Sequence, residues 1–494
     1  MASITSTPQN SKKLFGAYVL LLIGGIVAFL LIREAGQHLA APDAVSLEAS
    51  DAPGPGSVIA SVPKQAEVNV VFHVLLTLAA IITLGQLLAG LFHRIGQPAV
   101  IGEVVAGILL GPSLLGAISP DAMHWLIPGA DADPQKLVLS ALKMVAELGV
   151  VLYMFIVGLE LNTHKVGRQA HAAIAISHAS IIVPFVLGAG LALWLYPLLS
   201  NSDVTFTSFA LFLGVAMSIT AFPVLARILT DQKLEQTDIG VIALSCAASD
   251  DVTAWCLLAF IVGAAQAKIG GAIMIAVWTV AFIAAMFLIA RPLLLKWVTW
   301  LEPRGLDRRA TPILFVAVLC SALITHAIGI HAVFGAFLFG AVIPHDSRVA
   351  QELSRRLHDV VTILLLPAFF SITGMNTRIG LISGLDSWLI CGVIILIATL
   401  GKCGGTVAAA RFVGVDWRTS TALGILMNTR GLMELIVLNI GLQMGVISDK
   451  LFAMMVIMAL VTTMATAPIL QTLIPDFRRS AARATDSVVP TPAA

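Results

Sequence analysis

The sequence predicts an all-α polytopic membrane protein of about fourteen transmembrane helices, and three observations predict it. Charged residues make up 12% of the 494-residue chain and hydrophobic residues 58%, against about 25% charged in an ordinary soluble domain. Mean hydropathy is +0.95, so hydrocarbon is the solvent this chain suits. The apolar residues fall into runs of about 20, the length that crosses a bilayer as a helix.

Net charge is +1, which gives no bulk attraction to nucleic acid. The five cysteines lie in apolar segments without CxxC or metal-ligand spacing. They read as packing residues, and no cofactor is called for.

The first apolar run, Leu14–Ile32, follows Lys12 and Lys13. It is too long for the core of a leader peptide and has no small-residue cleavage pattern directly behind it, so it reads as an anchor helix. The tract from Arg33 to Glu67, with Asp51-Ala-Pro-Gly-Pro-Gly inside it, reads as a flexible linker. Residues 1–67 are therefore an anchor and linker. Thirteen further apolar segments follow, at 68–93, 97–115, 137–160, 168–198, 205–229, 238–265, 270–297, 309–328, 331–345, 356–375, 386–412, 417–444 and 450–474. They define one transmembrane domain, 68–475, ahead of a short polar tail, 476–494.

Threading fourteen spans from a cytoplasmic N-terminus puts eighteen Lys and Arg of the loops inside and six outside. That asymmetry predicts both termini in the cytoplasm and a multi-pass protein of the inner cell membrane.

The domain carries an internal repeat. Residues 98–111 and 331–344 share Ala-Val-x-Gly-x4-Gly, and Met154-Phe-Ile-Val-Gly-Leu-Glu-Leu-Asn-Thr163 loosely matches Phe370-Ser-Ile-Thr-Gly-Met-Asn-Thr377. Repeat one would hold six helices, 68–265, and repeat two another six, 309–474. The single linker helix between them, 270–297, makes the copies run in opposite directions, the inverted arrangement common in secondary transporters.

The fifth helix of each copy is interrupted. One reads Ser218-Ile-Thr-Ala-Phe-Pro-Val224, where Pro223 breaks the hydrogen-bond ladder, and the other Asn428-Thr-Arg-Gly-Leu-Met-Glu434. Matching breaks in inverted halves point to a binding site near the midplane, where unwound backbone is tolerable if it lines a cavity. Asp250 and Asp251 lie mid-helix in the sixth segment. A charge there costs at least about 2.5–3.5 kcal/mol. Adjacent helical residues point about 100° apart, so one carboxylate can meet a fixed partner while the other faces water. Lys402, in Thr399-Leu-Gly-Lys-Cys-Gly-Gly405, is the matching mid-helix cation. Arg430 either joins the site or pairs with Glu434 four residues on. Glu103, Lys143 and Glu147 also fall inside apolar segments and read first as structural.

Four blocks, Pro98–Pro112, Glu147–Glu160, Ser249–Trp255 and Asn428–Gly441, resemble the monovalent cation:proton antiporter-2 family, the last of them most like the plant cation/H exchangers and their microbial relatives. The resemblance spans about 68–474. It implies the NhaA-like fold, whose inverted repeats are a known example, with a six-helix core holding two crossed broken helices and a separate dimerisation domain, hence a homodimer. It also implies that Asp251 binds the monovalent cation and the proton, that Asp250 is its companion, and that Lys402 pairs with Asp250. Thr220, Asn428 and Thr429 match the breaks beside the site. Arg430, Glu434 and Glu103 are secondary candidates. Potassium-efflux members gated by glutathione have Gln-Asp at the pair and a long nucleotide-binding tail. This sequence has Asp-Asp and a short tail, which argues against that gating.

The expected activity is exchange of Na⁺ or K⁺ for protons, probing the same site in turn. An organic-anion or other solute transporter on the same fold is the alternative. An intramembrane aspartyl protease is excluded, because adjacent aspartates diverge and no Gly-x-Gly-Asp occurs.

Overall fold

The computed structural model describes residues 8–42, 69–128, 137–160, 170–232, 234, 237–266, 269–302 and 310–473. All regular structure among them is helical. Most of the expected linker and all of the tail, 476–494, lie outside the described residues. In chain order the helices are α1 (Pro8–Gly36), α2 (Val70–Arg94), α3 (Ala99–Leu110), α4 (Leu115–Ile118), α5 (Pro120–Leu126), α6 (Leu137–Glu160) and α7 (Ala170–Leu199). Then come α8 (Phe206–Ser218), α9 (Phe222–Asp231), α10 (Asp238–Gln266), α11 (Ile269–Ala285), α12 (Arg291–Leu301), α13 (Ala310–Ile328) and α14 (Ala332–Val342). The last are α15 (Arg348–Asp359), α16 (Leu366–Asn376), α17 (Gly384–Phe412), α18 (Trp417–Met427), α19 (Leu432–Gln443) and α20 (Asp449–Leu473).

Each apolar segment read from the sequence is helical. Among the described residues, ten helices are long and apolar enough to cross a membrane on their own, and three shorter apolar ones accompany them. Many large apolar side chains, among them Leu75, Leu91, Leu288, Leu323, Leu385 and Leu400, point outward. Such a surface belongs against lipid rather than water. Two helices contain a widened π turn, Met286–Ala290 and Val360–Leu365. Each precedes a proline, Pro292 and Pro367, whose ring and missing N–H disturb the turn before it.

The packing divides into two bodies. One, the scaffold, joins α2 to α3, α13 to α14, α3 to α16 and α6 to α14. The other, the bundle, is built on α7 against α17, with α8, α10, α18 and α20 packed around them. The pairings come in matched sets: α7 with α8 and α17 with α18, α10 with α7 and α20 with α17. Between the bodies α16 touches α19, the turn Ile379–Leu381 touches α20, and the chain passes from α10 to α11. Two hydrogen bonds cross as well: Asn439 Nδ2 donates to Thr373 Oγ1 at 2.9 Å, and Gln97 Nε2 to the Met464 carbonyl at 3.0 Å. The first helix, α1, lies on the bundle, with Tyr18 edge-on to His178 and Phe29 against Phe185.

The repeated glycines have a packing cause. A Cβ on Gly107 would strike the backbone of Ser371 in α16, and one on Gly374 the backbone at Val104 in α3. In the second crossing, Gly340 meets the Phe155 carbonyl of α6, and Gly158 the Phe337 carbonyl of α14. Without lipid-phase hydrophobic drive between helices, association rests on such close backbone approach. Gly107→Val and Gly340→Val are therefore expected to lower the melting temperature in detergent strongly, by the overpacking cost of about 1–3 kcal/mol or more. Gly392→Ala, where nothing lies within 4 Å of an added Cβ, is the control and should melt like the parent.

Candidate ion-binding site

The site begins with two interruptions. Helix α8 stops at Ser218, Ile219 is extended, and the chain resumes as α9 at Phe222. Pro223 then falls in the first turn, where a missing N–H costs no helical bond. Helix α18 stops at Met427 and α19 starts at Leu432. The unwound stretches touch: the Ala221 N–H donates to the Thr429 carbonyl at 3.0 Å. Gly431 permits the crossing, because a Cβ there would meet the Val224 and Ala221 side chains.

A helix ending inside the membrane leaves its last carbonyls without partners. Those of α8 are all accounted for. Val215 O accepts the Ser218 hydroxyl at 2.9 Å. Arg430 Nη1 donates to Ala216 O and Ile219 O, both at 3.1 Å, and Nη2 to Met217 O at 2.7 Å. Lys402 Nζ donates to Ser218 O at 2.5 Å. Two fully buried cations thus close the negative end of α8, where a helix dipole favours them. At the end of α18 the Thr429 hydroxyl donates to Leu426 O at 2.6 Å, and the Thr220 hydroxyl lies 3.1 Å from Met427 O, an alternative to its shorter bond to Asp250 for its one proton. Thr463 of α20 fixes the second break, accepting from the Arg430 N–H at 2.9 Å and donating to the Arg430 carbonyl at 2.8 Å.

Helix α10 brings the carboxylates to these breaks. Asp250 is fully buried and surrounded by donors. Its Oδ2 lies 2.8 Å from Lys402 Nζ, 2.8 Å from Thr220 Oγ1 and 3.0 Å from Ser180 Oγ. Its Oδ1 takes the Ser177 hydroxyl at 2.6 Å and lies 3.3 Å from that of Ser180. Asp251, one residue on and as deeply buried, has no hydrogen-bond donor within bonding distance among the described residues, though the Phe222 N–H at the start of α9 is close enough to act on it. Asn428 Oδ1 and both Glu434 oxygens are likewise buried without a donor. Glu434 stands 3.7 Å from Arg430 Nη1. The two breaks therefore gather oxygen acceptors in excess of donors, an arrangement that suits a cation or a proton.

Against the sequence reading, the structure brings Asp250, Lys402 and Thr220 into direct contact. Asn428 and Thr429 are buried at the second break, but the Thr429 hydroxyl turns to its own helix. Neither reading of Arg430 included its main partners, the α8 carbonyls, although its Glu434 ion pair is present at a longer distance. Glu103 sits on α3 in the scaffold, its carbonyl accepting the Ser371 hydroxyl at 3.3 Å. Lys143 and Glu147 share α6, with no ion pair between them among the described residues, and Glu147 faces outward. Sequence reasoning missed Ser177, Ser180 and Thr463. A Ser-x-x-Ser pair on one face of an otherwise apolar helix was the available signal for the first two.

Residues 76–472 match the family described as sodium/hydrogen exchanger, transmembrane. The chain belongs to this family. It is 40% identical over 413 residues to the Na⁺/H⁺ antiporter NhaS4 of Synechocystis, covering 83% of this chain and 99% of that one. It is 40% identical over 407 residues to cation/H⁺ antiporter 20 of Arabidopsis thaliana, covering 79% of this chain. There it spans about half, 47%, of the relative's length. The fold matches that of the sodium proton antiporter MjNhaP1 from Methanocaldococcus jannaschii, with a TM-score of 0.62 at 10% identity over 83% of this chain and 98% of that one. Helix α1 lies outside the matched family region.

The cap on α8 yields a test. Arg430→Met keeps an apolar body and removes every guanidinium bond to the α8 carbonyls. Breaking a buried charged network costs about 3–5 kcal/mol, so a large drop in melting temperature in detergent is expected. A variant as stable as the parent would refute the capping role.

Proposed function

We propose that this protein is a secondary active transporter that exchanges Na⁺ or K⁺ for protons by alternating access, with Asp251 binding the cation and, after its departure, a proton. The contrast between neighbours at 250 and 251 carries the reading. Asp250 is held by four side chains, whereas Asp251 is buried with no side-chain donor within hydrogen-bond distance among the described residues. An unpaired carboxylate inside a membrane needs a reason, and a site where a cation and a proton compete supplies one. Asn428 Oδ1, Thr220 and the unwound backbone complete the surroundings. An organic anion fits poorly, because Lys402 and Arg430 are already engaged with Asp250 and the α8 carbonyls.

The bundle rocks against the scaffold and opens the site to each side in turn. Sparse contacts between the bodies favour that motion. All fourteen apolar segments span the inner membrane, with 68–265 and 309–474 as the two inverted repeats and both termini in the cytoplasm. The protein works as a homodimer through its scaffold, as the family resemblance implies.

Exchange is electrogenic. Cation binding breaks the Asp250–Lys402 pair, and Lys402, desolvated and without its partner, releases a proton. Asp251 releases the second. Two protons for one cation leave one charge moved per cycle, which couples transport to the membrane potential by about 2.3 kcal/mol per 100 mV.

Two measurements test this. In proteoliposomes, cation-induced pH change scanned over Li⁺, Na⁺, K⁺ and Rb⁺ should appear with the parent and vanish with Asp251→Asn, which carries no titratable proton; parent-like exchange in the variant would refute the site. With cation and pH equal on both sides, an imposed potential should drive proton flux, and its absence would make exchange electroneutral.

A further inference from the structure

Lys402 and Asp250 are 2.8 Å apart with both side chains fully buried. That closeness poses a difficulty for the two-proton scheme. When a buried ammonium lets go of its proton, the nearest base is the carboxylate beside it. Transfer of the proton from Nζ to Oδ2 would erase both charges, which a medium of low dielectric favours. No proton would then leave the protein from Lys402, and only Asp251 would be coupled to the cation.

Helix α7 carries the groups that oppose this transfer. Ser177 and Ser180 lie three residues apart on one face, both fully buried. The Ser177 hydroxyl donates to Asp250 Oδ1 at 2.6 Å, and the one proton of the Ser180 hydroxyl can be given to Oδ2 at 3.0 Å or to Oδ1 at 3.3 Å. An ionised carboxylate only accepts, whereas a protonated one must donate through its O–H. Hydrogen bonds to the ionised form favour that form. With Lys402 released, Asp250 still has the two serine hydroxyls and that of Thr220. Ser180 also has an alternative acceptor, the Ser177 carbonyl at 2.8 Å, so it can follow the carboxylate through the change. The helix that bears them is fixed in place. Gly401 and Gly405 of α17 pack against Pro184, Ala179 and Val183 of α7, leaving no room for a Cβ to push the helices apart.

We propose that Ser177 and Ser180 are positioning residues that keep Asp250 an anion while Lys402 gives up its proton, so that the proton leaves to water on the open side of the membrane instead of passing to Asp250. The N–H bond of the ammonium breaks, the amine keeps the electron pair, and Asp250 remains a carboxylate throughout. This inference rests on the two-proton reading given above.

The test is the proton-to-cation ratio of the full-length protein in proteoliposomes, taken from the potential at which flux reverses at set cation and pH gradients. The parent should give two protons per cation. The double variant Ser177→Ala/Ser180→Ala should fall toward one, and its exchange should fade at a higher pH than in the parent as the medium is acidified. Ser177→Ala and Ser180→Ala, each keeping one hydroxyl, should fall between, and Ser180→Thr should restore the parent ratio. These single variants carry the test if the double variant does not fold. A parent ratio of two with unchanged ratio and pH profile in the alanine variants overturns the serine role and leaves the two-proton reading standing. A parent ratio of one overturns that reading, and this inference with it.

Discussion

A backbone group set free inside hydrocarbon must find its partner within the protein. Two interrupted helices buried in the bundle impose that demand on this fold, and the site is largely the answer to it. The carbonyls at the end of α8 recruit Arg430 and Lys402. Lys402 then requires a counter-ion, which is Asp250, and Asp250 in turn draws hydroxyls from α7 and from the first break. Each buried charge is there because of the one before it. Asp251, with Asn428 Oδ1 and Glu434, is left among the described residues without a hydrogen-bond donor.

The same demand explains why the scaffold and the bundle look so different. In the scaffold, helices meet backbone to backbone at glycines, with few charges. In the bundle, the interrupted helices are wrapped by α7, α10, α17 and α20, which supply the polar side chains. Where the two bodies meet, two amide side chains, Gln97 and Asn439, make the crossing bonds. Neutral bonds of this kind contribute about 1 kcal/mol each. They can be exchanged for others as the bodies slide, whereas an ion pair at the same place would hold them together.

Much of this was legible in the sequence because the bilayer restricts the options. Long apolar runs have to be helices, so the apolar helices were readable down to the interruptions at Thr220 and Thr429, whereas the short α4 and α5 and the polar α15, which lie largely outside such runs, were not. Asp250, Asp251 and Lys402 stood out because ionised groups are rare in such runs. The partners of Arg430 were not legible. Its fork reaches across the crossing to residues 216–219, more than two hundred positions earlier, and nothing at Arg430 itself signals that. The i,i+4 rule offered Glu434, a genuine but more distant neighbour. Ser177 and Ser180 escaped for a different reason: a lone hydroxyl in an apolar helix bonds its own backbone cheaply, so its residue type says little until the facing helix is known. The repeat was visible through its glycines, whose role in close approach is local and therefore leaves a spaced pattern.

The two breaks are held by their neighbouring sixth helices in unlike ways. On α10 the contact is made by a carboxylate, Asp250, through Thr220. On α20, Thr463 bonds the second break by both its N–H and its carbonyl at Arg430. A hydroxyl does not change its charge across the physiological pH range, and an acid in such a place can. The two breaks are therefore latched by different chemistry, a charged group on α10 and a neutral one on α20. A change of charge at the site is thus felt directly at the first break and only indirectly at the second.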